Sequence, residues 1–311
     1  MRKEAKQNNS ITLARVQGYH EGHYHGNYAY QGFQSNKYFT SDRYIQLDEN
    51  FRRPDGQPLQ GFGLEIETEC NGINNETVLA EVFDKIIFTH FPADLFKMQH
   101  DGSLGGRTSA ECITQVMTKS FIRNHYKDFK SMYDLYFPSF GIKADSASTS
   151  CGMHVNISNA CFGKTVDGQD KAIRKLYYII NKHFGFCCKL LYRMGSTHYC
   201  GQMGYSNVRT MDLGNFGSSH GVCFNLGHYN EGRIELRLVG GQKNYACFRN
   251  TMECVFFLVE RCRSLTWQDC DSIEKIFTGC NQYVYSRLTL CGLSDTVLTN
   301  IRGTVKEEEL L

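Results

Sequence analysis

Residues 62–69 read FGLEIETE and alternate apolar with polar side chains at a period of two. This alternation is typical of a β-strand, whose successive side chains point to opposite faces, and it predicts a strand over 62–70. One face would be apolar, and the other would carry Glu65, Glu67 and Glu69 about 7 Å apart. Uncompensated charges this close raise one another's pKa, so the pattern favours a divalent cation such as Mg²⁺ or Mn²⁺ at this face. The alternative is a solvated acidic edge.

Two further stretches divide in the same way into an apolar and a chemically functional face. Residues 153–158 read MHVNIS and residues 233–238 read RIELRL. Their polar faces would carry His154, Asn156 and Ser158 in the first strand, and Arg233, Glu235 and Arg237 in the second. Carboxylates can hold Mg²⁺ and guanidinium groups can neutralise phosphate oxygens, so three such strands in one sheet would form one active surface. Taken singly, His154 could be a satisfied buried histidine and the Arg/Glu strand a surface ladder of salt bridges.

The remaining periodicities predict an α+β domain over residues 61–300. Strands are predicted at 110–118, 152–159, 222–228 and 233–239, and helices at about 75–90, 121–137, 170–194 and 245–262. An irregular polar arm is predicted to precede the domain over residues 1–60, and an acidic tail is predicted to follow it over 301–311. The Gly-rich loop at 195–221 is a candidate lid, or equally a flexible surface loop.

The composition excludes several classes of protein. The chain of 311 residues has 34 basic and 32 acidic side chains, and this net charge of +2 gives no footprint for a dedicated nucleic-acid or anionic-membrane binder. Its longest apolar run, at 255–259, is far shorter than the ~20 residues that cross a bilayer, and the N-terminal residues lack the apolar block of a signal peptide. We therefore expect a cytoplasmic protein without membrane partners, in which the 14 cysteines are mostly small buried hydrophobes.

Other chemistries have weaker support in the sequence. The Gly-rich stretch at 102–106 lacks the Gly-Lys-Ser/Thr ending of a phosphate-binding P-loop. Asp101 and Glu111 could form a further carboxylate pair. Cys151 could be an activated thiol, although a small residue packed at the entrance to a strand is the more ordinary interpretation. Three N-terminal histidines, at positions 20, 23 and 25, either bind a metal or belong to a polar segment.

Four motifs together resemble a known family. In order along the chain they are FGLEIETE, DGSL with AECIT, CGMHVNIS and GRIELRLVGG. Their combination resembles the amidoligase family, carboxylate–amine ligases related to glutamine synthetase and glutamate–cysteine ligase, over about residues 60–260. The resemblance implies a curved, mainly antiparallel sheet that binds ATP with two or three Mg²⁺ or Mn²⁺ ions on its concave face and carries helices on its convex side.

The resemblance also implies roles for individual residues. Glu65, Glu67 and Glu111 would be metal ligands, whereas His154 and Glu235 would hold the cation that bridges the ATP phosphates. Arg237, and with it Arg233, would stabilise the transferred phosphoryl group, and Glu67 would join them in the catalytic set. Asn156 stands where relatives often have a second histidine, so one contact to the nucleotide or metal would differ.

The implied reaction has two steps. A carboxylate of an amino acid, peptide or protein attacks ATP to give an acyl phosphate, and an amine then displaces phosphate to form an amide or isopeptide bond. Two alternatives remain open: a phosphotransferase of the guanidino-kinase type, which stops after phosphoryl transfer, and a non-catalytic nucleotide- or metal-binding module that acts in structure or interaction.

Overall fold

The computed structural model describes residues 35–73, 76–99, 104, 108–146, 150–193, 200–216 and 221–306. The chain has an α+β fold with mixed strand pairing, so the predicted α+β class is confirmed. The described residues divide into two compact units, the first within the ranges 1–56, 63–153 and 241–245 and the second within 57–62, 154–240 and 246–311. The boundaries expected from the sequence at residues 60 and 300, which separate an arm and a tail from the domain, stay predictions.

The first unit contains most of the strands. They are β1 Lys37–Phe39, β2 Tyr44–Gln46, β3 Phe62–Cys70, β4 Phe96–Gln99, β5 Ser109–Thr114, β6 Val116–Met117 and β7 Ile142–Lys143. Strand β3 pairs antiparallel with β5 and β7, and β5 also pairs antiparallel with β4. Strand β1 pairs antiparallel with β2 and parallel with β6. Strands β1 and β2 lie within the predicted irregular arm, where the sequence shows little apolar periodicity.

Short helical segments complete the first unit. They are α1 Glu76–Val82, α2 Lys119–Asn124, α3 Tyr126–Ser131 and α4 Phe137–Phe140, with π-helical turns at Phe83–Ile87 and Met132–Tyr136. The predicted helix at 121–137 is therefore interrupted, because His125 leaves the helical region at φ −98° and ψ 11°. Thr118 begins α2 by accepting the backbone N–H of Phe121 at 3.1 Å. Gly141 ends α4 with φ +69°, a left-handed conformation that glycine adopts without strain.

Aromatic rings fill the core of the first unit. Phe83 packs edge-on against Phe137 at 5.8 Å between ring centroids, and Phe91 packs against Phe129 at 5.0 Å. Leu64 and Ile66, on the apolar face of β3, are almost completely buried. Phe96 of β4 packs edge-on against Phe129 of α3 at 6.4 Å between ring centroids, so aromatic contacts also join a helix to a strand.

The second unit combines three strands with the longest helices. The strands are β8 Met153–Ser158, β9 Phe224–Asn225 and β10 Arg233–Leu236, and β10 pairs antiparallel with both others. The helices are α5 Val166–Lys182, α6 Phe184–Leu190, α7 Tyr245–Cys262, α8 Ile273–Phe277, α9 Gln282–Leu288 and α10 Asp295–Arg302. Thr165 caps α5 at the N–H of Gly168, so the helix begins four residues before its predicted start.

Most residues of helix α7 are buried, and its bounds match the prediction of 245–262. Phe256 on α7 packs edge-on against Phe62 at 4.8 Å between ring centroids. The carboxylate of Glu253 is buried, and it accepts a hydrogen bond from Asn281 at 3.0 Å. In the described part of the chain, none of the helices combines the length and apolar composition that crossing a bilayer requires.

Substitution of Gly241 by alanine is expected to destabilise the protein by several kcal/mol. A Cβ at this position would lie 2.3 Å from the carbonyl oxygen of Ala144 and 2.8 Å from that of Cys151, and both are backbone atoms with little freedom to move. Chemical denaturation gives the free energy of unfolding. Gly185→Ala is the control, because a Cβ there meets nothing within 4 Å, and we expect it to change the stability by less than about 1 kcal/mol. Equal stability of both variants would contradict the steric argument.

Candidate functional site

Strand β3 carries a row of glutamates opposite its buried apolar residues. Leu64 and Ile66 are 0% and 1% exposed, whereas Glu65 and Glu69 are half-buried and Glu67 is 8% exposed. The predicted alternation of β3 is therefore confirmed. A buried glutamate in the middle of the row is costly unless other groups or an ion compensate its charge.

A fourth glutamate joins this row from the neighbouring strand. In the β3–β5 ladder Glu111 lies directly opposite Glu67. One carboxylate oxygen of Glu111 also lies within 4.8 Å of one of Glu65. The structure thus brings together Glu65, Glu67 and Glu111, three of the five residues expected to bind metal. Like charges placed opposite one another destabilise a sheet, and a hard divalent cation is the ion that such oxygen ligands bind.

The main chain just before β8 fixes the central carboxylate of this acidic group. The backbone N–H of Gly152 donates to Oε2 of Glu67, and the N–H of Glu67 donates to the carbonyl of Gly152 at 3.2 Å. At the end of the row, the hydroxyl of Ser150 donates to Oε1 of Glu69 at 2.9 Å. The bond from Gly152 holds Oε2 of Glu67 against the main chain.

Glu235 organises a second group of polar residues, in the second unit. On β10 it lies opposite Asn156 of β8 and Asn225 of β9. Oε1 of Glu235 accepts a hydrogen bond from Nη1 of Arg237 at 2.5 Å, and Oε2 accepts one from Nδ2 of Asn225 at 2.8 Å. Nδ1 of His154 lies 3.5 Å from Oε1. His154 and Glu235 are 6% and 5% exposed, so this group is well shielded from water.

Two arginines flank this group in different ways. Nη1 of Arg233 donates to Oδ1 of Asn156, which directs the Arg233 guanidinium along the polar face of β8. Arg237 contacts Glu235 instead, and its Nε is buried without a hydrogen-bond partner among the described residues. Its main chain is fixed on both sides, because its N–H donates to the carbonyl of Cys223 at 3.0 Å and its own carbonyl accepts Nη2 of Arg193 at 2.8 Å.

Some expected functional residues lie outside the described residues or show no accessible reactive group. Asp101, the three N-terminal histidines, the Gly-rich stretch apart from Leu104, and residues 307–311 of the acidic tail are not described. Cys151 is 0% exposed, and its thiol donates to the carbonyl of Lys143, so it is packed as a small hydrophobe. This arrangement leaves a substrate no access to the thiol.

The described part of the candidate lid, residues 200–216, is attached to helix α5. Oδ1 of the buried Asn181 accepts the N–H of Met203 at 2.7 Å, and the hydroxyl of Tyr177 donates to the carbonyl of Gly204 at 2.9 Å. Residues 194–199 and 217–220 of the loop region lie outside the described residues. The anchored segment is thus held at its start, near Cys200, by side chains of a long helix.

The chain also contains fourteen buried thiols. All fourteen cysteines lie in the described ranges, and none of them forms a disulfide. Burial raises the pKa of Cys223 and of Cys161 to about 12 and that of Cys188 to about 11. Thiols of this kind are protonated near neutral pH and are poor nucleophiles, as expected for residues that pack as hydrophobes.

Sequence reasoning missed Asn225, Gly152 and Arg193. Asn225 lies in the run VCFNLGH, which predicts a strand but does not show that one amide faces a carboxylate. Gly152 acts through its backbone N–H, which has no signature in side-chain patterns. No protein-family model matches the chain, and no curated protein is significantly similar to it.

Proposed function

We propose that the chain is an ATP- and Mg²⁺- or Mn²⁺-dependent carboxylate–amine ligase that forms an amide or isopeptide bond through an acyl phosphate. The observation that supports this best is the group around Glu235. There a buried carboxylate lies 3.5 Å from the imidazole of His154 and accepts a hydrogen bond from Arg237. A ligand for a cation and a donor for phosphate oxygens are thus adjacent, as phosphoryl transfer requires.

The donor chemistry of the acidic group suits a hard divalent cation. Mg²⁺ binds oxygen at 2.0–2.1 Å, so two of its ligands lie at most about 4.2 Å apart. The carboxylate oxygens of Glu65 and Glu111 lie within 4.8 Å of each other, so a small movement of either side chain suffices. In the proposal Glu65, Glu67 and Glu111 are metal ligands, and His154 and Glu235 hold the cation next to the ATP phosphates.

The guanidinium of Arg237 has a hydrogen-bond donor available for an anion. Its Nε is buried and makes no hydrogen bond with the described part of the chain. A buried donor without a partner costs about 1–3 kcal/mol, which a phosphoryl oxygen bound at this atom would recover. The proposal therefore assigns Arg237 to the transferred phosphoryl group, with Arg233 and Asn156 as further contacts to the nucleotide.

The proposed chemistry gives each group a defined task. A carboxylate is a poor acyl donor because its leaving group would be oxide, and ATP supplies the phosphoryl group that converts it into a better one. The chain's residues then position the reactants and neutralise charge where it accumulates. Burial of His154 and Glu235 restricts water, which would otherwise hydrolyse the acyl phosphate.

The proposal also covers the fold type of the sheet and the cellular compartment of the protein. We propose the curved, mainly antiparallel sheet of the glutamine synthetase type, because most strand pairs within each unit are antiparallel. We propose the cytoplasm because fourteen free thiols persist in a reducing compartment. The substrates would be the carboxylate of an amino acid, peptide or protein and an amine, without a membrane partner or a dedicated nucleic-acid partner.

The test is release of ADP and phosphate from ATP by the purified protein with Mg²⁺, glutamate and a mixed pool of amino acids and short peptides. We expect release that depends on the added carboxylate and amine, together with an amide product detected by mass spectrometry. ADP release with a phosphorylated nitrogen and no amide would instead indicate a phosphotransferase. ATP binding without ADP release across the pool would indicate a non-catalytic module and contradict the ligase.

A further inference from the structure

The carboxylate of Glu235 is held by hydrogen bonds at both of its oxygens. Arg237 donates to Oε1 at 2.5 Å, and Asn225 donates to Oε2 at 2.8 Å. Each carboxylate oxygen has two lone pairs. Nδ1 of His154 also lies 3.5 Å from Oε1, so Oε2 is the oxygen whose second lone pair is left for another ligand. The two donors fix the plane of the carboxylate and thereby the directions in which those lone pairs point.

The amide of Asn225 is itself oriented by the main chain. Its Oδ1 accepts the backbone N–H of Gly227 at 2.9 Å. Since one end of the amide is engaged in this turn, the NH₂ end faces Glu235, and the hydrogen-bond network defines which atom is the donor. Asn225 is 6% exposed and lies opposite Glu235 in the β9–β10 ladder, so it has little freedom to turn away.

We infer that Asn225 is a positioning residue, which sets the orientation of Glu235 for binding a divalent cation. This inference rests on the proposed function, in which Glu235 holds a metal. Hydrogen-bond partners of ligating carboxylates orient the ligand, and their loss typically weakens metal binding or activity about 10- to 100-fold. In this inference Asn225 is not itself a ligand, and its amide acts through its hydrogen bond to Glu235.

The experiment measures binding of Mn²⁺ alone, followed by electron paramagnetic resonance of the free ion. The difference between the native protein and Glu235→Gln defines the ion held at Glu235. We expect Asn225→Ala to weaken binding of that ion about 10- to 100-fold. Asn225→Ser should weaken it similarly, because a serine hydroxyl can accept the N–H of Gly227 but is too short to reach Glu235.

Asn230→Ala is the matched control. Asn230 is an exposed asparagine of the same unit, and its amide donates to the carbonyl of Gly214, away from Glu235. We expect unchanged Mn²⁺ affinity in this variant. Thermal melting of all variants shows whether a loss of Mn²⁺ affinity comes from unfolding or from a changed orientation of Glu235. The serine variant is expected to retain the turn, and the affinities are measured well below each melting temperature.

The possible outcomes are distinct. Native Mn²⁺ affinity in both Asn225 variants, even with a lower melting temperature, would make Asn225 a purely structural residue and overturn the inference while the proposed function stands. Identical Mn²⁺ binding by the native protein and Glu235→Gln would instead overturn the metal role of Glu235, and the inference with it. Weaker binding in both Asn225 variants with a normal control supports the positioning role.

Discussion

Arg237→Lys is expected to lose most of the ATP-dependent turnover while the protein remains folded. Nη1 of Arg237 is engaged with Glu235, and in the proposed function its buried Nε donates to a phosphoryl oxygen. A planar guanidinium can donate to Glu235 and to a phosphoryl oxygen at the same time. The ammonium of lysine is a compact point charge and cannot reproduce both contacts. Removing one donor aimed at developing charge typically costs about 10²–10³ in kcat, and we expect a loss of this size.

The backbone around Arg237 should survive the substitution. Its N–H and carbonyl are bonded to Cys223 and Arg193, and neither bond involves the exchanged side chain. The measurements are ADP release and binding of a fluorescent ATP analogue, with the melting temperature as a check of folding. Arg263→Lys is the control, because Arg263 donates to the carbonyl of Cys161, a structural contact of the second unit. Native turnover in Arg237→Lys would remove Arg237 from the phosphoryl site.

Local periodicity was sufficient to predict the strands that carry the candidate site. The alternation at 62–70 matches β3 to the residue, and α7 matches its predicted bounds. In both β3 and α7 the apolar pattern extends over many residues, so the secondary structure that the pattern favours is also the one that buries the apolar side chains. The face of each strand could be predicted too, since it follows from the period alone.

Features set by tertiary contacts could not be predicted in this way. The helix expected at 121–137 is divided at His125, and the helix expected at 170–194 ends at Lys182 before α6 begins, although the apolar stripes continue across both interruptions. Strands β1 and β2 have only three residues each, too few to show a period. The hydrogen-bond partners of Glu67 and Glu235 could not be predicted either. A backbone N–H at Gly152 or an amide at Asn225 has no signature in the sequence pattern.

Glu67→Gln is expected to abolish metal-dependent turnover and the stabilisation of the protein by Mn²⁺. Glu67 is 8% exposed and lies opposite Glu111, so the row of β3 and β5 concentrates negative charge where little water can screen it. The amide of glutamine is a weaker ligand for a hard cation than a carboxylate. Its carbonyl oxygen can still accept the N–H of Gly152, so the local structure is retained.

Thermal unfolding with and without Mn²⁺ measures both halves of this prediction. A ligand at 100 times its dissociation constant stabilises the folded state by about 2.7 kcal/mol, so the native melting temperature should rise with Mn²⁺ and that of Glu67→Gln should not. Without metal the variant should melt no lower than the native protein, because the substitution removes one of the two negative charges that lie opposite each other at Glu67 and Glu111. Glu69→Gln is the control: Glu69 lies on the same face but opposite Ser109 and Lys143, so no second carboxylate lies opposite it in these ladders. Unfolding of Glu67→Gln without metal would show that the charge of Glu67 serves the fold. Stabilisation of this variant by Mn²⁺ to the same extent as the native protein would show that Glu67 does not bind the ion.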